Sequence, residues 1–523
     1  MTSAALMAAA RAADQAGDAA TALRHCDALL AAEPGHAGAG HLAALLAWRQ
    51  GDAPGAVARL RAVLRQYPQS ARGWRDLGYM LRDKALGDAA DHAEALACLR
   101  RAAELAPGDV DILTLLALAL QAAGEDASAR AAFDQAMAVP GEDAEALRLR
   151  SSTARSLGLL AVAVQQARAF TCAAPRDPQA WRLRAAAQWR AGDHAGALGC
   201  IDRALALAPG DAQARYYRGV LLLTLGELRA GFEEYEARWQ GALPDLTPRG
   251  PPERLLRQGE EIAGRSVFLH WEQGFGDAIQ FSRYVPLLLA QGARVTLMVK
   301  PALQRLLGGS YAHPALTMML PAAPPLLDRH ALLGSLPQVF GTNAADVPGA
   351  PYLRADPVAV AAWRRRLQAA QPAARQRIGL VWSGAAGNEV DAQRSIGLAP
   401  LLPWLDMPGV QWVSLQREPR PADAALLPRM PILDATAELQ DFADTAALVM
   451  ALDRVIAVDT AVAHLAGGLG VPLWLLLPFV PDWRWQLHRS DSPWYPAARL
   501  FRQPAEGDWP AVVAAVREAL QAL

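Results

Sequence analysis

The chain has 523 residues, 52% of them hydrophobic and 20% charged, with 51 lysines and arginines against 52 aspartates and glutamates. That length exceeds what a single core serves and points to about three domains, while the apolar content excludes a disordered chain. A net charge of -1 supplies no global field to gather polyanions, which argues against nucleic acid as a partner.

At the start of the chain, the alanine-rich stretch from Met1 to Ala20 is broken by Arg11, Asp14 and Asp18, so no signal peptide is expected. The apolar stretches Ile112 to Leu120 and Val471 to Val480 are shorter than the roughly 18 residues that span a bilayer. No transmembrane segment is predicted, and the expected compartment is cytoplasmic. Cys26, Cys98, Cys172 and Cys200 lie in the first 200 residues with no C-x-x-C pair. They read as small helix residues in a reducing environment, neither a disulfide frame nor a zinc site.

Prolines recur at Pro34 and Pro68 and again at Pro175 and Pro209, with Pro107 and Pro140 between. Both outer pairs are 34 apart, the period of the tetratricopeptide repeat (TPR). Within the period, Trp74, Leu77, Gly78 and Leu81 follow W-x2-L-G-x2-Y, and Ala129 to Phe133 and Ala197 to Ile201 follow A-x3-F. Small residues let paired helices approach, large ones fill the gap, and proline ends each second helix because it lacks the backbone N–H. About six repeats are expected, with a longer turn between Leu81 and Ala93, where Asp83, Lys84, Gly87, Asp88, Asp91 and His92 interrupt the pattern. A non-repeating helical bundle shares the composition but not the proline period. A repeat solenoid presents a long concave face, suited to holding a peptide or protein segment.

After Trp239 a proline- and glycine-rich passage, Gly241 to Gly250, marks a change of period and a domain boundary. Strands are predicted at Ser266 to His270 and Arg294 to Val299, with a helix from about Ala278 to Leu289 between them, a βαβ unit. A second series is predicted at Arg377 to Trp382, Val410 to Leu415, Arg454 to Val458 and Pro472 to Leu477. The segment Ala350 to Ala374, with Pro351, Pro357 and Pro372, reads as the join between two doubly wound lobes. The expected organisation is residues 1–240 as the repeat array, 241–374 as the first lobe and 375–523 as the second.

Ligands in such sheets bind beyond the carboxyl ends of strands, so the loops there carry the candidate chemistry. In His270 to Asp277, Gly274 and Gly276 permit a tight turn into a helix and place Asp277 near its N terminus. A carboxylate there can act as general base toward a hydroxyl, or cap the helix. In Val458 to His464, free N–H groups and the helix dipole favour an anion such as a diphosphate, and Thr460 and His464 share a helix face. Asp459 or Thr460 serves equally as a cap, and His464 as a packing residue. The loop from Trp382 and Ser383 through Asn388 to Arg394 offers one cation for phosphate, or a solvated surface arginine. Pro481 to Trp485 sets two aromatics and a cation on one loop, for stacking on a ligand or for packing between lobes. No D-x-D pair follows residue 240 and no P-loop occurs, so neither a carboxylate-bound metal nor a P-loop nucleotide site is indicated.

Four runs carry a family resemblance: G-F-E-E-Y-E-A-R-W at Gly231 to Trp239, H-W-E-Q-G-F-G-D-A-I-Q-F-S-R-Y at His270 to Tyr284, V-D-T-A-V-A-H-L-A-G at Val458 to Gly467, and the run from Leu477 to Pro496. In these the chain resembles the bacterial TPR glycosyltransferases, whose catalytic half is similar to glycosyltransferase family 9, the heptosyltransferases, and more distantly to the protein O-linked N-acetylglucosamine transferases. The resemblance implies an α plus α/β chain: an N-terminal TPR α-solenoid followed by a GT-B pair of Rossmann-like lobes. It implies metal-independent inverting transfer from a nucleotide-sugar co-substrate, with no resident cofactor, while the groove of the repeat array, larger than a monosaccharide acceptor needs, points to a protein acceptor such as flagellin or another surface subunit. By the resemblance, Asp277 is the base. Gly274, Gly276, Gln280, Trp382, Ser383, Asn388, Arg394, Gln416, Asp459, Thr460, Ala461 and His464 bind substrate, the donor chiefly through the second lobe. Ala461 stands where heptosyltransferases usually carry glycine, and Arg394 stands alone where the repeat-containing relatives often carry two arginines. Transfer to a lipid-linked or polysaccharide acceptor, and a non-catalytic scaffold with decayed lobes, are the alternatives.

Overall fold

The computed structural model describes residues 2–83, 89–141, 143–243, 250–323, 327–349, 351–384 and 391–522. The candidate Asn388 and, in the repeat insertion, Lys84, Gly87 and Asp88 lie outside the described residues. The chain divides into two compact units, Met1–Leu207 and Ala208–Leu523.

The first unit is a run of antiparallel helix pairs from Ser3–Gln15 to His194–Leu207, six pairs among the described residues. Short polar side chains start many of these helices. Asp18, Asp52, Ser70, Asp109 and Asp143 each accept a hydrogen bond from the backbone N–H three residues on. Pro34, Pro68, Pro107, Pro140 and Pro175 each fall two residues after a second helix ends. Small residues set the helix spacing: a Cβ on Gly78 would lie 2.7 Å from Leu99 Cγ. Ala129, Phe133, Ala197 and Ile201 are buried, as the A-x3-F reading requires. The longer turn expected up to Ala93 is shorter, because Asp91 and His92 already lie in helix Ala89–Leu105.

The second unit opens with one more helix pair, Ala212–Leu225 and Leu228–Tyr235, joined at Gly226, whose φ of +93 only glycine adopts readily. The helical run thus reaches Tyr235, while the compact division falls earlier, at Leu207. Physical reasons lie in the last pair and the turn after it: Phe232 sits edge-on to Trp483 and Trp494, and fully buried Arg238 donates to Glu272.

Two parallel sheets follow. The first contains β1 (Ser266–His270), β2 (Arg294–Met298), β3 (Leu316–Met319) and β4 (Arg329–Leu332) in the order β3-β2-β1-β4. The second contains β5 (Gln376–Val381), β6 (Val410–Ser414), β7 (Ile432–Asp434), β8 (Arg454–Val458), β9 (Leu473–Leu477) and β10 (Ala498–Arg502) in the order β10-β9-β8-β5-β6-β7. Strand order reverses beside β1 in one sheet and between β5 and β8 in the other, and at such reversals the loops beyond the strands open a crevice. The expected helix from Ala278 to Leu289 is instead Phe275–Phe281 and Val285–Ala290, with Pro286 near the start of the second. Ala350 to Ala374 is not simply a join. Pro357 opens helix Pro357–Ala370, capped by Asp356, because proline at a first helical position needs no hydrogen-bonded N–H. Ahead of it, Tyr352 and Leu353 donate their N–H groups to Gly468 O at 2.9 and 3.1 Å, fastening this segment to the second lobe.

Candidate functional site

The loop after β1 enters helix Phe275–Phe281, and the loop after β8 enters helix Ala461–Leu469. The two helices meet where a side chain is missing: a Cβ on Gly276 would lie 2.8 Å from His464 Cδ2 and 3.7 Å from Ala461 Cα. Gly276, Asp277, Ala461 and His464, separated by nearly 200 positions, are thereby brought together. Beside them Phe275 packs on Phe442 with ring centroids 5.1 Å apart, and Arg305 reaches Asp441 and Asp444 at 3.0 and 3.1 Å.

Both carboxylate oxygens of Asp277 are engaged. Oδ2 accepts the Gly274 N–H at 2.9 Å, a helix-capping bond, and Oδ1 accepts from the Arg484 guanidinium. Buried Arg484, from the loop after β9, also donates through Nε to Gln280 Oε1 at 2.6 Å and through Nη1 to Asp482 Oδ1 at 2.8 Å. Gln280 is accordingly a buried partner of Arg484, and its Nε2 has no partner among the described residues. Trp483 and Trp485, flanking Arg484, are buried, so this loop packs between the lobes instead of offering its rings to a ligand. Trp483 lies against Phe232, Tyr235 and Trp494, and Trp485 stacks on His464 at 5.5 Å.

Thr460 precedes helix Ala461–Leu469 without capping it, and its Oγ1 has no partner among the described residues. The helix therefore keeps an uncapped, positively polarised end. His464 accepts or donates at Nδ1 with Tyr495 Oη at 2.8 Å and holds Nε2 3.8 Å from Asp459 Oδ1. Burial, with the charges of Arg484, Arg283 and Arg394, holds the imidazole well below its usual range, so it is neutral at pH 7. Burial and the nearby charge of Asp482 push the Asp459 carboxyl up to about 6, against the opposing pull of Trp485 and the two arginines Arg484 and Arg394.

The β5 side is more structural than the sequence reading expects. Trp382 is fully buried in the second-lobe core, its Nε1 donating to Asp423 Oδ2 at 3.0 Å, so its indole contacts no cleft. Gln416 Oε1 accepts the Trp382 and Ser383 N–H groups at 3.2 and 3.0 Å, which stitches the ends of β5 and β6. Arg394 is neither free nor solvated: its Nε lies 3.3 Å from Asp391 Oδ1, and Arg420 meets the other oxygen of the same carboxylate. Ser383 Oγ is buried with no partner among the described residues.

Sequence reasoning missed Arg484 as an Asp277 partner and Tyr495 as a His464 partner. It missed Lys300 altogether, although lysine occurs only at positions 84 and 300. Lys300 Nζ donates to Gln273 O at 2.7 Å, sits 4.5 and 4.7 Å from the ring centroids of Trp271 and Phe275, and is held below its usual range by burial.

Residues 15–77 match one tetratricopeptide-repeat profile, and residues 148–212 and 184–247 match another. Protein FlbA of Caulobacter vibrioides is 28% identical over 381 residues, an alignment covering 66% of this chain and 62% of that protein. The chain thus spans less than two thirds of that relative's length. Among solved structures, a tetratricopeptide repeat protein from Parabacteroides merdae aligns at 16% identity over 46% of this chain and 94% of that one, with a TM-score of 0.38. PilF of Pseudomonas aeruginosa aligns at 16% identity over 41% of this chain and 96% of that one, with a TM-score of 0.33. No helix among the described residues is long and apolar enough to cross a membrane. The N-terminal helical region carries tetratricopeptide repeats, a framework for protein–protein interaction, and is followed by a C-terminal part built on parallel sheets.

Proposed function

We propose that the second unit is a GT-B glycosyltransferase that moves a sugar from a nucleotide-sugar donor to a protein acceptor presented by the repeats, with inversion and without a metal. The observation that carries this reading is the meeting of the Asp277 and Asp459 to His464 loops, through Gly276, at the carboxyl ends of β1 and β8. The uncapped helix end at Thr460, with its hydroxyl and that of Ser383 unpartnered among the described residues, suits a diphosphate. In the proposed reaction the acceptor hydroxyl gives its proton to the Asp277 carboxylate and its oxygen bonds to the anomeric carbon. The bond from that carbon to the diphosphate breaks, and the nucleoside diphosphate leaves with the electron pair.

The test is a thermal-shift panel with UDP, GDP, ADP, CMP and the matching sugar nucleotides, run on the wild type and on His464→Ala. Stabilisation by one nucleotide class, lost in the variant, is the expected result. A repeat scaffold with inert lobes is the second reading, favoured by the engagement of both Asp277 oxygens. Absence of stabilisation by every nucleotide in a folded sample would establish it over the first.

A further inference from the structure

Arg484 is the cation bound to Asp277, on the helix that Gly276 brings against Ala461 and His464. Oδ2 of Asp277 is committed to the Gly274 N–H, so Oδ1 is the atom left for an acceptor hydroxyl, and Arg484 occupies it. Arg484 arises from the second lobe, in the loop after β9, and its neighbour Trp485 stacks on His464 of the uncapped helix with ring centroids 5.5 Å apart. Its other donors rest on Gln280 and Asp482, so Nη2 leaves Asp277 only when the whole planar guanidinium turns. A diphosphate at the Thr460 helix end would carry more negative charge than a single carboxylate and would accept the same forked donors.

We propose that Arg484 is a donor-sensing positioning residue: in the unliganded protein it blocks Asp277, and an arriving nucleoside diphosphate draws it away and frees the carboxylate for the acceptor. The inference rests on the glycosyltransferase reading. It makes the base available only when a donor is in place, so the reactive constellation assembles in a fixed order, donor before acceptor.

The experiment is titration calorimetry of the full chain with UDP, GDP, ADP and CMP as probes, on wild type, Asp277→Asn, Arg484→Gln and the double variant. The Asp277→Asn substitution keeps an oxygen for the Gly274 N–H but no longer holds Arg484 by charge. The expected result is that the nucleotide bound by the wild type binds Asp277→Asn about tenfold more tightly, as release of one charge-assisted hydrogen bond predicts. Arg484→Gln should bind it at least about tenfold more weakly, and Asp277→Asn should give no gain in that background. Arg484→Lys, which keeps the charge but loses the forked donors, serves if Arg484→Gln fails to fold, and it too should bind the nucleotide more weakly and gain nothing from Asp277→Asn. A residue that merely staples the lobes would make Asp277→Asn bind equally or less tightly than the wild type. That outcome overturns the inference and leaves the transferase reading standing. Binding of no nucleotide by wild type or Asp277→Asn overturns both.

Discussion

Gly276→Ala tests whether the two lobes meet as tightly as the site requires. The added methyl would sit 2.8 Å from His464 Cδ2 and 3.4 Å from His464 Nε2, against ordinary carbon contacts of about 3.5–4.0 Å. His464 has little room to retreat, since Trp485 stacks on one face and Tyr495 holds Nδ1. Overpacking of this kind costs about 1–3 kcal/mol, against at most about 1 kcal/mol gained by replacing glycine in a helix. The net expectation is a loss of about 1–2 kcal/mol, lowering the unfolding midpoint of this unit by about 1.5–3 °C. Gly308→Ala is the internal control: it lies in helix Gln304–Ser310 of the same unit, where a Cβ meets nothing within 4 Å. That variant should gain up to about 1 kcal/mol. Differential scanning calorimetry of both variants gives the comparison. If Gly276→Ala matches or exceeds the stability of Gly308→Ala, the close approach of the two helices is wrong, and the argument for a shared site goes with it.

Two further outcomes are expected. Because burial raises Asp459 to about 6, its ionised form opposes folding: the contribution is most favourable below the unfolded value near 3.8 and is lost as pH rises through 6. Asp459→Asn should therefore stabilise the protein by about 1–3 kcal/mol at pH 8 and by little at pH 4, read from urea unfolding at both pH values. A gain independent of pH would show that Asp459 is not the titrating group. Arg238→Met should cost about 3–5 kcal/mol, because it strands the Glu272 carboxylate that now accepts from Arg238 at 2.7 and 3.0 Å. Adding Glu272→Gln should recover part of the loss, and an Arg238→Met variant within about 1 kcal/mol of wild type in urea would refute that account.

The repeat region is legible because its signals are local: a proline two residues beyond each second helix and a small residue at each close approach need no knowledge of the rest of the chain. Strands with continuous apolar runs are equally plain, and Ser266 to His270 and Arg454 to Val458 fall at their observed bounds. The four strands the sequence reading misses lack that signal. β7 is three residues long, β3 is only partly covered, and β4 and β10 carry arginines, of which Arg499 is exposed while lying over the Trp474 and Phe501 rings. Pro357 misleads because the same residue breaks one helix and opens another, and only Asp356 before it tells the cases apart. At the site, the individual loops are visible in the sequence but their partners are not. The Asp277–Arg484 pair joins residues 207 positions apart, and Trp382 looks like a loop residue until the core around it is seen.

The buried cluster around Arg238 fixes where the molecule can be cut. Arg238 binds Glu236, Glu272 and Ser335 at once, and Gly334 N–H closes the ring on Glu272 at 2.7 Å. A fragment starting at residue 241, where the composition changes, would discard the cation and leave Glu272 in a cavity without its counter-charge. It would also uncover the faces of Trp483 and Trp494 that Phe232 protects. A fragment starting at Ala208 keeps both. Exchange of repeat arrays between chains of this kind, whether by recombination or at the bench, therefore has its tolerated seam inside the helical run, one helix pair before the run ends.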